Sequence, residues 1–156
     1  MYRGTLTMAF FRGEQGNVLF KHDSADTLTV VTAVRSWSLT IDKESLEVTT
    51  LGESFRDRIG GLIGGSGTIE VFYEKTAAGA GKGDLIREIL TTPATESTVA
   101  SAELYTYDAG SQGSGSEKLA FNLLITSAEF SATVGELQVV TFNFETKGAI
   151  TLASVA

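Results

Sequence analysis

The stretch WSLTIDKESLEVTTLGESFRDRIGGLIGGSGTIEVFY, residues Trp37 to Tyr73, decides how the rest of the chain is read. Both of its ends alternate in the manner of half-buried strands. Trp37, Leu39 and Ile41 point one way and Ser38, Thr40 and Asp42 the other; further on, Ile69, Val71 and Tyr73 share a face opposite Thr68, Glu70 and Phe72. Residues 42–65 keep neither a strand nor a helix period. They are dense in charge (Asp42, Lys43, Glu44, Glu47, Glu53, Arg56, Asp57, Arg58) and run into the glycines Gly60, Gly61, Gly64, Gly65 and Gly67. A loop of that length inside a compact domain is uncommon and is usually functional or mobile. The expectation is a long assembly loop over about 42–65 that takes its shape from copies of the same protein.

Outward from this stretch the chain reads as mainly β. Thr5 to Phe10 alternates, GEQG at 13–16 is a turn, Asn17 to Lys21 is a short strand, and HDSAD at 22–26 is a polar loop with an exposed His22. Thr27 to Val34 is rich in β-branched residues and reads as a strand with Leu28, Val30 and Val34 inward. After Tyr73, TAAGAGKG at 76–83 is a small-residue linker. It leads into one short helix over about 84–92, capped by Asp84, with Leu85, Ile86, Ile89 and Leu90 as its apolar face and Pro93 as its stop. Val99 to Tyr107 is a strand, and DAGSQGSGSE at 108–117 reads as a mobile hairpin tip. Leu119, Phe121, Leu123 and Ile125 share a face, but by Ala128, Phe130 and Ala132 the apolar parity has flipped, which predicts a bulge near Thr126. Gly135 turns the chain into a last strong strand carrying Val140, Phe142 and Phe144, and 149–156 is a weaker strand or tail. The pattern predicts an antiparallel β-sandwich or partly closed barrel with one flanking helix, whose sheet edges must be closed, covered or used.

With 156 residues, the expectation is a single domain over 1–156. There is no cysteine, which excludes disulfides and thiolate metal sites. No apolar run approaches the roughly 18 residues of a membrane helix, and MYRGTLTMAFFRGEQ lacks a signal-peptide hydrophobic stretch, so synthesis in a cytoplasm is expected. Twelve basic against nineteen acidic residues leave −7. That argues against a protein that grips duplex DNA by displacing counterions. It is compatible with a surface past which nucleic acid slides.

GAGKGD at 79–84 lacks both the first glycine of a phosphate loop, where Thr76 stands, and the hydroxyl after the lysine, where Gly83 stands. His22 is the one histidine, so multi-histidine metal sites are excluded, and its polar neighbours form no nucleophile elbow. Asp23 and Asp26 lack the glycine and terminal Glu of an EF-hand. Carboxylate pairs such as Glu70 with Glu74, or Glu103 with Asp108, fit the wet face of a strand better than glycoside hydrolysis. Trp37 reads as core rather than a sugar platform. No catalytic residue, cofactor or metal is expected.

The order of pieces from Trp37 to Tyr73 resembles the tail tube (major tail) proteins of tailed bacteriophages. A Trp-x-Leu strand ends in an acidic turn; LEVTTLGESFRDRIGGL supplies a VTTLGD-like segment, an aromatic with Arg nearby and a Gly-Leu; GSGTIEVFY supplies a Gly-Ser-Gly strand start. These pieces cover about a quarter of the chain. The resemblance implies a structural virion protein, not an enzyme: a β-sandwich protomer, six of which join sheets edge to edge into a ring. Rings stack into a hollow tube for genome delivery, and the loop contacts the next ring. Asp42, Glu44, Glu47, Glu53, Phe55, Arg56, Asp57, Arg58, Ile59 and Leu62 are then the candidate interface. At −7 per chain a ring of six carries about −42, and an acidic bore repels DNA, which bears roughly one charge per 1.7 Å. Glu70, Glu74, Glu103 and Glu129 are candidate lumen-facing residues, although alternation alone does not say which sheet faces inward. The implied partners are other copies of the chain, a tail terminator, baseplate or tip proteins and a sheath, in a virion tail assembled in a bacterial cytoplasm. No immunoglobulin-like extension is expected. Two other readings fit the composition: a β-sandwich module binding carbohydrate or protein through Trp37, Tyr105 and Tyr107, and a ring protein of a bacterial secretion tube.

Overall fold

Strands dominate because β-branched and aromatic residues alternate with polar ones over most of the chain. The structure is a computed structural model that describes residues 12–13, 16–22, 27–52, 54–73, 81–90 and 100–156, with backbone alone at 81–84. The elements in chain order are β1 (Asn17–Lys21), β2 (Thr29–Val30), β3 (Val34–Glu47), β4 (Arg58–Phe72), α1 (Gly81–Leu90), β5 (Ser101–Tyr107), β6 (Glu117–Ser131) and β7 (Val139–Ser154). All seven strands belong to one antiparallel sheet in the order β2-β1-β5-β6-β7-β4-β3.

That order puts β2 and β3 at opposite edges, yet only Val31, Thr32 and Ala33 join them. Four residue steps span at most about 14 Å, so the two edges must lie close together. The backbone agrees. The Val31 amide still bonds the Val18 carbonyl of β1 (2.9 Å), while the Ala33 carbonyl already accepts from the Phe72 amide of β4 (2.9 Å). The sheet therefore curls until its edges nearly meet, without hydrogen-bonding shut. The mainly β expectation with one short helix holds, and the two layers expected of a sandwich are parts of a single curled sheet.

The core fills the inside of the curl. Phe20 and Val18 from β1, Leu104 from β5, Phe121 and Leu123 from β6, Phe142 and Phe144 from β7, and Ile69 and Val71 from β4 are all buried, and Trp37 packs against them as expected. Helix α1 covers β1 and β6 with Leu85 fully buried and Ile86 and Ile89 packed beside it. It begins at Gly81 rather than Asp84, inside the expected linker. Its fourth apolar residue, Leu90, is 75% exposed; Glu88 is buried instead, paired with the Nδ1 of His22. His22 is thus not an exposed loop residue but a buried partner that ties the end of β1 to the helix. Among the described residues no helix is long and apolar enough to cross a membrane. The expected strand Thr5–Phe10, residues 76–80 of the linker and the Pro93 stop lie outside the described residues.

The bulge near Thr126 is present as a register shift between Ile125 and Ser127, and Gly135 turns the β6–β7 hairpin at φ +87. Of Thr27–Val34, Thr29 and Val30 pair as β2 and Val34 opens β3 and packs against the core as expected, while Val31 rather than Val30 is buried in it. The glycine- and serine-rich tip at 108–117 is tied down by one carboxylate. Asp108 accepts hydrogen bonds from the backbone amides of Gly110 (2.9 Å) and Gln112 (2.8 Å) and from the side chains of Asn17 (3.2 Å) and Gln112 (3.0 Å). Partial burial works to raise its pKa, but those bonds outweigh it and hold the carboxyl below the usual range. A depressed folded pKa stabilises above the unfolded value near ~3.9 and is lost as pH falls through the folded value. Asp108→Ala should therefore lower stability by about 1–3 kcal/mol at pH 7. The deficit should narrow below about pH 4 in denaturant titrations run at several pH values.

Candidate assembly interface

Strands β3 and β4 outgrow the sheet. β4 pairs with β7 only from Ser66 to Phe72; from Gly65 back to Arg58 its one partner is β3. Residues 41–47 and 58–65 thus form a two-stranded arm, roughly 25 Å long at about 3.3 Å per residue, tipped by residues 48–57. The expected loop over 42–65 is mostly strand, and only 48–57 connects the two. Glycine and charge hide the strands because an arm in solvent has no core to enforce alternation.

The arm carries one irregularity with consequences. Between the pairs Lys43↔Ile63 and Ser45↔Gly60, β3 advances two residues and β4 three. The extra residue is a bulge at Gly61–Leu62, which re-phases β4 and sets Ile59 opposite Leu46. Leu46 shares its face with Asp42 and Glu44, so that face turns from acidic to apolar toward the tip. The tip closes with the Val48 amide on the Asp57 carbonyl (3.0 Å), the Asp57 amide on Thr49 Oγ1 (3.2 Å) and the Arg58 amide on Asp57 Oδ1 (2.8 Å).

The structure brings the candidate interface residues onto this arm. Asp42, Glu44 and Glu47 lie on β3, Phe55, Arg56 and Asp57 in the tip, and Arg58, Ile59 and Leu62 on β4, every one exposed; Glu53 lies outside the described residues. No salt bridge joins their charged groups to any described residue. Leu51 is fully exposed and Phe55 is 87% exposed at the tip, an apolar display that a lone protomer does not use.

Three of the acidic candidates, Glu70, Glu103 and Glu129, take the opposite face of the sheet from the core. Glu70 sits between buried Ile69 and Val71, Glu103 between buried Ala102 and Leu104, and Glu129 opposite Thr141, itself flanked by buried Val140 and Phe142. Glu129, Thr141, Glu70 and Ser36 form one cross-strand row, with the Ser36 hydroxyl donating to Glu70 (3.0 Å). In the next row Asn143 donates to Ser127 (2.7 Å), and Thr68 pairs with Ser38 (2.9 Å). Glu103 is set apart because Lys118 (2.8 Å) and the Tyr105 hydroxyl (3.1 Å) both donate to it. That bond to Glu103 raises the Lys118 pKa, and burial followed by Glu103 raises that of Tyr105. Glu103 is a neutralised pair, while Glu70 and Glu129 present charge. Glu74 lies outside the described residues. Among the described residues no group of three or more acidic or histidine side chains is arranged to hold a metal.

One apolar surface escaped the sequence reading. Tyr73, Phe130, Val134 and Leu137 are exposed together where β4 ends beside the β6–β7 turn. The signal was there in three apolar residues around a turn at Gly135, where polar residues are the norm.

No family model matches the sequence, and no curated protein matches it. Solved structures do. The tail of an empty gene transfer agent particle, refined with C6 symmetry, superimposes with a TM-score of 0.68 over 92% of this chain and 98% of its own at 14% identity. The SPP1 tail tube gives 0.71 over 94% and 81% at 12% identity. The tube-terminating cap of the anti-feeding prophage gives 0.71 over 97% and 96% at 11% identity. This is the fold of tail tubes. At such identities the likeness is one of architecture, and it spans nearly the whole chain. The tail-tube fold accounts for a curled sheet with one covering helix.

Proposed function

We propose that this chain is a tail-tube subunit: a structural, non-enzymatic protein whose copies close into rings that stack into a hollow tube for genome delivery. The observation that carries the reading is the two-stranded arm, with an exposed apolar tip, projecting from a sheet of tail-tube architecture. Six copies per ring follows the C6 symmetry of the gene transfer agent tail. Among the described residues β3 leaves a long backbone edge unpaired and β2 a short one, and edge pairing between neighbours would satisfy what the curl leaves open. A head-to-tail contact repeated by rotation closes a ring, and a second contact along the axis propagates it. Glu70 and Glu129 would then line the bore, where fixed negative charge keeps DNA moving. Terminator, baseplate and sheath proteins are the expected partners, in a virion tail assembled in a bacterial cytoplasm.

A concentration series under negative stain tests this. Six-fold rings or striated tubes are expected as protein concentration rises. A uniform monomer at every concentration would sink the reading. A map of the ring with Glu70 and Glu129 on its outer wall would remove only the bore assignment.

A further inference from the structure

The arm tip is half of a contact, and the other half lies on the same chain. β4 carries the tip at its Arg58 end; Tyr73 follows its other end, and the Tyr73 amide bonds the Gln138 carbonyl (2.8 Å), holding the β6–β7 turn there. At about 3.3 Å per residue the two ends lie roughly 45 Å apart along one strand. At this far end Phe130 is 59% exposed, Leu137 71%, and Val134 wholly so. Beside Phe130 is an open cleft of about 170 Å³ bounded by Tyr73, Phe130, Ala132, Gln138 and Val139. A cavity of about 150 Å³ lined by apolar side chains holds one benzene, so the cleft has room for a single phenyl ring. The tip supplies one in Phe55. Charge agrees with shape: Arg56 follows Phe55 at the tip, and Glu136 stands exposed in the turn beside the cleft.

We propose that Phe55 of one copy inserts into the cleft formed by Tyr73, Phe130 and Val139 of a copy in the adjacent ring, with Arg56 meeting Glu136. The inference rests on the tail-tube reading and names the acceptor that the arm requires. Because donor and acceptor sit at opposite ends of one strand, the contact is head-to-tail, and between stacked rings it can repeat along the axis.

The chain has no cysteine, so introduced thiols report directly. F55C and A132C chains, mixed and oxidised under assembly conditions, should yield covalent dimers at least tenfold above either variant alone, and F55C/A132C in one chain should yield a ladder. Independently, R56E should shorten tubes and E136R in the same chain should restore them. Tubes with no F55C–A132C product, or with F55C coupling chiefly to itself, overturn the acceptor while the tail-tube reading stands. If F55C itself blocks growth, the charge exchange decides, and failure of E136R to rescue R56E overturns the proposal. A wild-type chain that never assembles overturns both.

Discussion

A chain in which an Asn-Gly turn replaces Thr49–Arg56 should fold as stably as the parent and form no tubes. The rung from the Val48 amide to the Asp57 carbonyl already closes the arm at 3.0 Å, and Asn-Gly is the favoured two-residue hairpin connection. Nothing buried is lost, because Leu51 and Phe55 touch little of their own protomer. Shortening a loop lowers its closure entropy by only about 0.6 kcal/mol per halving, so unfolding should move slightly upward or not at all. Assembly differs. Burying a Leu or Phe against a neighbour contributes about 1.5–3 kcal/mol each, and removing both takes about 3–6 kcal/mol from every axial contact. At 1.4 kcal/mol per factor of ten, the concentration needed for growth rises more than about a hundredfold. Urea unfolding and tube length under negative stain read the two effects separately. Tubes of ordinary length from the truncated chain would show that the tip is not the axial contact, and a chain that unfolds would show that the tip belongs to the core.

How much of this was legible depends on where a core disciplines the pattern. Around Trp37–Leu39, Thr68–Phe72 and Leu119–Ile125 one face packs inward, alternation is enforced, and the strands can be read from residues alone. The parity flip at Thr126 was readable for the same reason, since Ala128 still packs against the core after the bulge. Along 42–65 neither face is buried in the protomer. With no core on either side, nothing enforces alternation there, and the residues show no strand period.

Polar burial was hidden in another way. His22 and Glu88 are 66 positions apart, and nothing local to either distinguishes a buried pair from two solvated side chains. That pairing also explains the helix: with Glu88 inward, Leu90 turns out to solvent, against the apolar face read from the sequence. Of the candidate site, the charged and apolar tip residues were readable because the composition is odd for a lone protomer. The cleft at Tyr73 and Phe130 was not, because it forms only when the β6–β7 turn folds against the end of β4.

The glycines of β4 lead to the second large effect. Glycine signals either backbone freedom or close approach, and in Gly60 to Gly67 both readings were open. Gly67 is a case of close approach. It pairs with Leu39 on one side and Phe144 on the other. A Cβ there would fall 2.7 Å from Phe144 Cζ and well inside contact distance of the Ser38 carbonyl oxygen. Neither neighbour can yield cheaply. The Ser38 oxygen belongs to the β3–β4 ladder, and the Phe144 ring is buried and stacked on Phe121 at 5.6 Å. Gly67→Ala should therefore cost about 3 kcal/mol or more through overpacking and lost strand pairing, a large share of a typical 5–15 kcal/mol. Gly64→Ala, three residues away, is the matched control: a Cβ there meets nothing within 4 Å, and reduced unfolded-state freedom predicts a change between zero and a gain of about 1 kcal/mol. Urea midpoints for the two variants should separate widely. If they shift alike, β4 does not pass this closely beneath Phe144, and the same test bears on the arm, since its direction out of the sheet is set by the strand that Gly67 lets through.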